Sequence, residues 1–492
     1  MVLSYFFNGC ATFISSWFIF LFVRAIYRIT FHPLARFPGP KFRAISTIPH
    51  AWSTASGNLP HDLSDLHKNY GDVVRFEPNS LTFISPEAWN DIYSHARARA
   101  NPKVGYGEPA PGIHSIVTAP DAETHARQRK IISHAFSDKA LKDQESFVLE
   151  YLRRLIVQLR ERASNPGTAV VNLVQWFDWT TFDIIGDLSF GEPFDCLKNS
   201  SYHIWVDTLL QVVVAVSFIT AARLYTPLDK VLMMVAPKKA MEIRDNHTAM
   251  SKDKVHRRMQ VDIDRKDFWS YILQRKEDAA GMSMEEMEVN AATLIIAGSE
   301  TISTTCSGAC YYLCKSPALM KQICDEIRGT FKFEEEINMT SVQKLKFLHA
   351  VLMEGMRLFP PAPAGAPRLT PPEGEMIGKY FVPGNTTVMI SQLAAYINPN
   401  NFVNPLKYAP ERWLGDPMYD TDVKEVFKPF SVGPRNCIGK NLAWMETKMI
   451  MANMIWNFDL ELEDENFEPQ NQKMHVLWQK PALTVRLKNR QF

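Results

Sequence analysis

Phe430-Ser431-Val432-Gly433-Pro434-Arg435-Asn436-Cys437-Ile438-Gly439 is the stretch on which the reading of this chain turns. It lies just ahead of a helical pattern that runs from Asn441 to Trp456. A cysteine at that point faces free backbone N–H groups and the positive end of the helix dipole, and both favour the thiolate. Gly433 permits a turn, and Arg435 offers a charge-assisted contact to an anionic group. Phe430 can pack beside the sulfur and exclude water. A lone buried cysteine usually acts as a small hydrophobe; here Phe430, Gly433, Arg435 and Gly439 surround it at set spacings.

Three further patterns bear on the same chemistry. Ala297-Gly298-Ser299-Glu300-Thr301 falls midway along a predicted helix over 284–314. Thr301 can bond back to a carbonyl one turn earlier or hold a water, and Glu300 can relay protons. Glu354 and Arg357 stand three apart on a predicted helix that ends before Pro360, so they share one face. Taken alone, such a pair is a solvated contact worth little, but Pro410-Glu411-Arg412-Trp413 follows downstream. His125 and Arg129 sit four apart on a predicted helix over 121–136, and Arg368 lies in a predicted strand after a proline-rich loop.

The 430–439 segment resembles the cytochrome P450 haem-binding signature, Phe-x-x-Gly-x-Arg-x-Cys-x-Gly, at every fixed position. The resemblance extends over about residues 30–490 with the motifs in family order. It implies haem b as cofactor and Cys437 as the axial ligand of its iron, with Phe430, Gly433 and Gly439 shaping the loop. Gly433 and Gly298 would leave room for the macrocycle on its two faces. Arg435, Arg129, His125 (where the family has Trp) and Arg368 would contact the haem propionates. Thr301 and Glu300 would serve oxygen activation, while Glu354, Arg357 and Arg412 would form a buried structural network behind the haem. Trp413 stands where Phe is common, and Ile302 where a second hydroxyl residue is frequent. Phe31-His32-Pro33-Leu34, the Thr181–Leu188 segment and Asn436–Ala443 resemble membrane-bound filamentous-fungal members of secondary metabolism, which act on terpenoid or polyketide skeletons.

The bulk composition agrees with a globular enzyme. The chain has 492 residues, with 54 Lys+Arg against 53 Asp+Glu, which gives no reason to expect nucleic-acid binding. Seven cysteines in a chain of this size form no regular disulfide framework. Cys306, Cys310 and Cys314 repeat at helical spacing, but no further Cys or His joins them as a metal set.

From Met1 to Val23 no residue is charged, and Arg24, Arg28, Arg36, Lys41 and Arg43 follow. About 22 helical residues span roughly 33 Å, enough for a bilayer core. The charge asymmetry predicts a single-pass anchor at 1–23 with the body on the cytosolic side, which for this family means the endoplasmic reticulum. A cleaved signal peptide would carry its positive charge before the apolar run instead. Residues 24–45, with Phe37-Pro38-Gly39-Pro40, read as a basic, proline-rich connector, and 46–492 as the haem-thiolate catalytic domain.

The expected fold is mainly α with a small β-rich part, preceded by one transmembrane helix. Helices are predicted over 86–97, 121–136, 143–164, 170–190, 284–314, 316–331, 344–358 and 440–457. Asp72–Phe76 and Ser80–Ile84 read as a hairpin, and strands fit 366–370, 374–382, 385–390 and 473–487. The apolar run Val212–Leu224, with Val231–Val235, is either core helix or a membrane-touching flap. Cavity walls are expected from 105–118, 205–225, Leu294, Ala297, 361–369 and 474–478.

The function implied is monooxygenation of a lipophilic small molecule, hydroxylation or epoxidation. Electrons would come from NADPH through a membrane-bound cytochrome P450 reductase, with cytochrome b5 as a second donor. Arg127, Lys130, Lys428 and Lys440 are candidates for the basic docking face. Two other readings compete: a redox-neutral or peroxide-driven haem-thiolate enzyme, and a non-catalytic membrane-tethered haem or lipid-binding protein.

Overall fold

A computed structural model describes residues 2–97, 101–104, 112–225, 238–260, 265–273 and 281–491. Two helices organise the body. The central helix, Met284–Cys314, starts from a capping box in which Ser283 and Glu286 satisfy each other's backbone N–H groups. It packs along Leu173–Phe190, where every residue but Gln175 is buried. A helix apolar on nearly every side can only be an interior one. Its three acids are each committed. Asp183 accepts the N–H groups of Phe194, Cys196 and Leu197 and so ties down the chain that leaves the helix. Asp187 accepts the Tyr151 hydroxyl and pairs with Arg265, and Asp178 pairs with Lys480. Gly186 has Phe194 where a Cβ would project, 2.8 Å away.

The thiolate helix, Lys440–Asn457, runs through the same core. Asp138–Ala163, Pro317–Thr330 and Lys346–Leu358 close around these three. Among the described residues, four short sheets edge the helical mass. The largest orders Val73–Glu77, Ser80–Phe83, Thr387–Ile390 and Arg368–Leu369, with its middle pair parallel. Phe458–Leu462, Thr484–Asn489 and Val170–Asn172 make the second sheet. Glu375–Ile377 with Tyr380–Val382, and Met474–His475 with Leu477–Trp478, are two-stranded hairpins.

The expected elements form with adjusted ends. The 170–190 helix begins only at Leu173, because Val170–Asn172 pairs with the last strand. The 121–136 helix ends at Ile132 and tightens into a 3-10 turn over Ser133–Phe136. Strand Phe458–Leu462 and the short helices Lys41–Ile45, Ile48–Ala55 and Leu59–Tyr70 were not expected.

The N-terminal helix does not stop at residue 23. It continues to Thr30, carrying Arg24 and Arg28 inside it. Residues 12–30 form an exposed apolar span long enough to cross a membrane. The stretch 24–45 lies against the body. Arg28 donates to the Ile45 carbonyl at 2.6 Å, and Arg75 donates to the Arg28 carbonyl at 2.8 Å. Leu34 and Phe37 are buried in a cluster with Val73 and Leu81. At Gly39 a Cβ would lie 2.3 Å from the Arg75 carbonyl oxygen, so only glycine lets the segment lie against the sheet.

The apolar run at 212–224 belongs to helix Ile204–Arg223 and divides between both readings. Ala221 and Ala222 are buried, while Phe218 is 54% and Val216 38% exposed. Val231–Val235 and residues 105–111 lie outside the described residues.

Candidate active site

The loop ahead of the thiolate helix is held by its own backbone. The Cys437 N–H donates to the Phe430 carbonyl at 2.9 Å, and the Asn436 N–H to Gly433 at 3.1 Å. Gly433 takes φ +74°, and a Cβ there would fall 1.9 Å from the Tyr93 carbonyl oxygen. The Tyr93 backbone packed against it therefore requires a glycine here. Gly439 has no close neighbour that forbids a side chain, but its N–H points to the Cys437 sulfur. Burial pushes the Cys437 thiol up; the Gly439 N–H, Arg129 and Lys440 pull it back toward the thiolate. Phe430 lies against Trp444, ring centroids 5.8 Å apart, on the flank of the sulfur.

Cys437 opens onto a cavity of about 370 Å³. Its lining includes Phe430, Arg435, Arg129, His125, Arg368, Thr301 and Gly298, brought together from four separate segments. Four basic side chains line it, Lys103, Arg129, Arg368 and Arg435, and among the described residues no Asp or Glu does. Two of the four, and His125 beside them, carry the mark of that crowding. Burial, then Arg368, lowers Arg435 to about 10. Burial, then Arg368 and Arg435, lowers Lys103 to about 7. Burial, then Arg435, Arg129 and the other two cations, pushes His125 down to about 3. A pocket that gathers this much positive charge among its described residues suits an anionic ligand. With a cysteine on one wall, the donor set fits a metal-bearing planar group with two carboxylates.

Lys103 was not legible in the sequence. It is placed by a bridge to Arg368, flanked by hydrogen bonds from Leu369 to Pro102 and from Val104 to Pro367. Nothing in its local spacing marks it; only strand pairing across more than two hundred residues does. Arg129 and Arg435 also do structural work. Arg129 donates to the Asn436 carbonyl and side chain, both at 2.6 Å. Arg435 donates to the carbonyls of Ala119, Pro120 and Asp121.

On the opposite wall, Thr293, Leu294, Ala297, Gly298, Thr301 and Ile302 of the central helix face the cavity. The Thr301 hydroxyl donates to the Ala297 carbonyl at 2.7 Å, which leaves its lone pairs free to accept from a water. Gly298 makes room for Ile185, whose side chain would meet an added Cβ at 2.6 Å. That close approach brings the two helices together, and Gly298 lines the cavity as well. Glu300 does not line the cavity. Adjacent helix residues point about 100° apart, and Glu300 turns away from Thr301 into a buried contact with Lys480 at 2.9 Å. Glu300 and Thr301 therefore face different surroundings.

Of the expected walls, Ile116, Val117, Leu294, Ala297 and the segment Pro361–Arg368 contribute. The described side chains of 216–225 and 474–478 do not, and most side chains of 205–215 lie outside the described residues.

Behind the cavity, Glu354, Arg357 and Arg412 meet with no exposure at all. Arg357 grips Glu354 through two nitrogens, at 2.7 and 2.9 Å, and Arg412 reaches it at 3.0 Å. Two members went unforeseen. Asp422 pairs with Arg412, and the Trp413 indole donates to Glu354 at 3.0 Å, which a phenylalanine could not do. Burial pushes Glu354 up, but the two arginines outweigh it and hold the carboxyl below its usual range.

A cysteine facing a cation-rich cavity under a central helix, braced by a buried Glu–Arg–Arg network, defines a haem-thiolate enzyme. A cytochrome P450 family model matches residues 38–487, and the chain belongs to that family. It is 42% identical over 468 residues to cytochrome P450 monooxygenase astA of Talaromyces wortmannii, covering 94% of both chains. It is 41% identical to cytochrome P450 monooxygenase lcsI of Purpureocillium lilacinum, over 98% of this chain and 94% of that one. Averantin hydroxylase of Dothistroma septosporum is 38% identical, over 94% of this chain and 88% of its own length. The protein is a monooxygenase of the P450 type.

Proposed function

We propose that this enzyme inserts one atom of O₂ into a neutral, lipophilic polycyclic molecule, as a tailoring step on a terpenoid or polyketide skeleton. The observation that carries the reading is Cys437 at the edge of a cavity whose described lining holds four cations and no acid. Haem bound there supplies oxygen activation, which a thiolate ligand promotes by donating electron density to the iron. Cys437 provides that ligand, and Gly439 and Arg129 support its charge. Arg129, Arg368, Arg435, Lys103 and His125 bind and orient the carboxylates. Phe430 screens the sulfur from water. Thr301 holds a water against the central helix, and Ile116, Val117, Ile185, Leu294 and the alanines at 362, 364 and 366 select an apolar substrate.

Electrons come from NADPH through a membrane-bound cytochrome P450 reductase, with cytochrome b5 as a second donor. Lys130 and Lys440 are exposed and suit the docking face. Arg127 does not, since it is held by Glu286 and the Gly281 carbonyl. The N-terminal helix anchors the enzyme in the endoplasmic reticulum membrane with the body cytosolic.

The test is Cys437→Ala. It should abolish the thiolate-type spectrum of the reduced carbonyl complex. A variant that keeps the red-shifted Soret band would put the axial ligand elsewhere. Turnover in the absence of reductase would return the redox-neutral or peroxide-driven reading.

A further inference from the structure

Two buried amides stand between the central helix and one wall of the cavity. Asn290 lies on Met284–Cys314, one turn ahead of Leu294, and Gln128 lies on Ala122–Ile132 between Arg127 and Arg129. Both are at most 2% exposed. A buried amide has to find partners, and the partners here decide which way each one points. The Asn290 Oδ1 accepts the Ile116 N–H at 2.8 Å. The Asn290 Nδ2 donates to the Glu286 carbonyl, one turn back on its own helix, at 2.8 Å and to the Gln128 Oε1 at 3.2 Å. The Gln128 Nε2 donates to the His114 carbonyl at 2.8 Å and to the Glu286 carboxylate at 3.2 Å. Turning either amide over would set donor against donor and acceptor against acceptor, so the pair has one arrangement.

An asparagine inside a helix gives up some helical stability relative to alanine. Asn290 spends its amide on a backbone group 174 positions away. What that group belongs to is the cavity wall. Ile116 and Val117 line the cavity together with Thr293, Leu294 and Ala297. The backbone of the wall is gripped from both sides. The two amides take the Ile116 N–H and the His114 carbonyl, Lys103 donates to the Val117 carbonyl, and Arg435 donates to the carbonyls of Ala119, Pro120 and Asp121.

We propose that Asn290, oriented by Gln128, sets how far the Ile116–Val117 wall stands from the central helix, and so which apolar ligands the cavity admits. Neither amide is among the described lining residues, so both are positioning residues that act through Ile116. Replacing Asn290 by leucine, of similar size, leaves the Ile116 N–H and the Gln128 Oε1 buried without their partner. A buried donor left unpaired is costly, and the wall segment relieves it by moving or by opening to water. The Lys103 and Arg435 grips stay in place, so the loss is confined to the end of the wall nearest the central helix. The use of this wall for substrate rests on the proposed reading of the cavity; the hydrogen bonds that hold it do not.

The experiment uses the full-length holoenzyme and two readouts. The first is hydrogen exchange of a peptide spanning Ile116. Asn290→Leu should speed it by roughly three- to tenfold, with exchange along Lys440–Asn457 unchanged. The second is titration with two azoles that bind haem iron, followed by the red shift of the Soret band. Imidazole is too small to reach the wall and should keep its wild-type affinity. With 4-phenylimidazole, whose phenyl ring has to share the cavity with the wall, affinity should fall by roughly three- to tenfold. Gln128→Met leaves the Asn290 oxygen in place but frees the amide to turn, and should show the same pattern more weakly. Unchanged exchange at Ile116 in Asn290→Leu overturns the latch. Faster exchange with both azoles unaffected, or with both weakened equally, overturns the link between the latch and ligand choice. Should Asn290→Leu not fold, Gln128→Met carries both readouts and the same outcomes decide. A wild-type enzyme whose Soret band responds to neither azole would sink the haem-thiolate reading and leave the exchange result to judge the latch.

Discussion

Arg129 holds Asn436, the residue before Cys437, through two hydrogen bonds of 2.6 Å. The residue the family uses toward a propionate therefore also fixes the loop that presents the sulfur, from a helix three hundred positions away. Arg129→Ala should loosen both contacts at once. Losing one charge-assisted contact of about 1.4 kcal/mol corresponds to roughly tenfold faster haem release. Transfer of haem from the holoenzyme to a scavenging apoprotein measures it. An unchanged rate would make Arg129 a bystander.

Glu354 is the hinge of the buried network. Glu354→Ala leaves Arg357 and Arg412 without their shared anion and should cost about 3–5 kcal/mol, read as loss of folded, haem-loaded protein. Trp413→Phe removes one donor to Glu354, while Arg357 still satisfies the same oxygen at 2.9 Å. Its cost should be nearer 1.5 kcal/mol, seen as a modest fall in thermal midpoint. Equal damage from both variants would contradict this ranking.

Thr301→Ala should leave haem content and substrate-induced spectral shifts nearly intact, because the hydroxyl's one bond in the structure is to its own helix. Product formed per NADPH should fall, with peroxide released instead. Positioned proton transfer is worth roughly 10²–10⁴-fold, though a replacing water can recover part of that. Product, NADPH and peroxide are measured together, and unchanged coupling would reduce Thr301 to its helical role.

Deletion of residues 1–23 should release part of the protein from membranes with haem retained, since Arg28 keeps its contact to Ile45. Deletion through residue 30 removes that contact and the carbonyl that Arg75 binds. The longer truncation should therefore unfold at lower temperature than the shorter one. Equal stability would show that the helix end is not part of the body.

His67 is almost fully buried, between the Gly71 carbonyl and the Thr82 hydroxyl, and burial lowers it to about 4 from 6.5. The folded state binds this proton more weakly than the unfolded chain. Stability from the neutral ring is full above pH 6.5 and is lost as pH falls from 6.5 to 4. The shift corresponds to about 3 kcal/mol. His67→Gln should flatten the fall in thermal midpoint over that window. A variant with an unaltered acid limb would place the titrating group elsewhere.

What the sequence by itself determined was whatever depends on local spacing. Cys437 with its flanking glycines and arginine, the 284–314 helix, Glu354 with Arg357, and the apolar N-terminus all lie within one or two turns of their partners. Periodicity and motif order reach that far. Tertiary structure decided which side of an element each residue faces and what waits there. Glu300 and Thr301 are neighbours in sequence but point to different environments, because Lys480 approaches from the far end of the chain. An added side chain at Gly298 would meet Ile185 and at Gly433 the Tyr93 backbone, contacts that no local pattern announces. Lys103 joins the cavity only through its bridge to Arg368. Burial, charge sharing and close approach are set by segments hundreds of residues apart, and a sequence read along its length carries no distance between them.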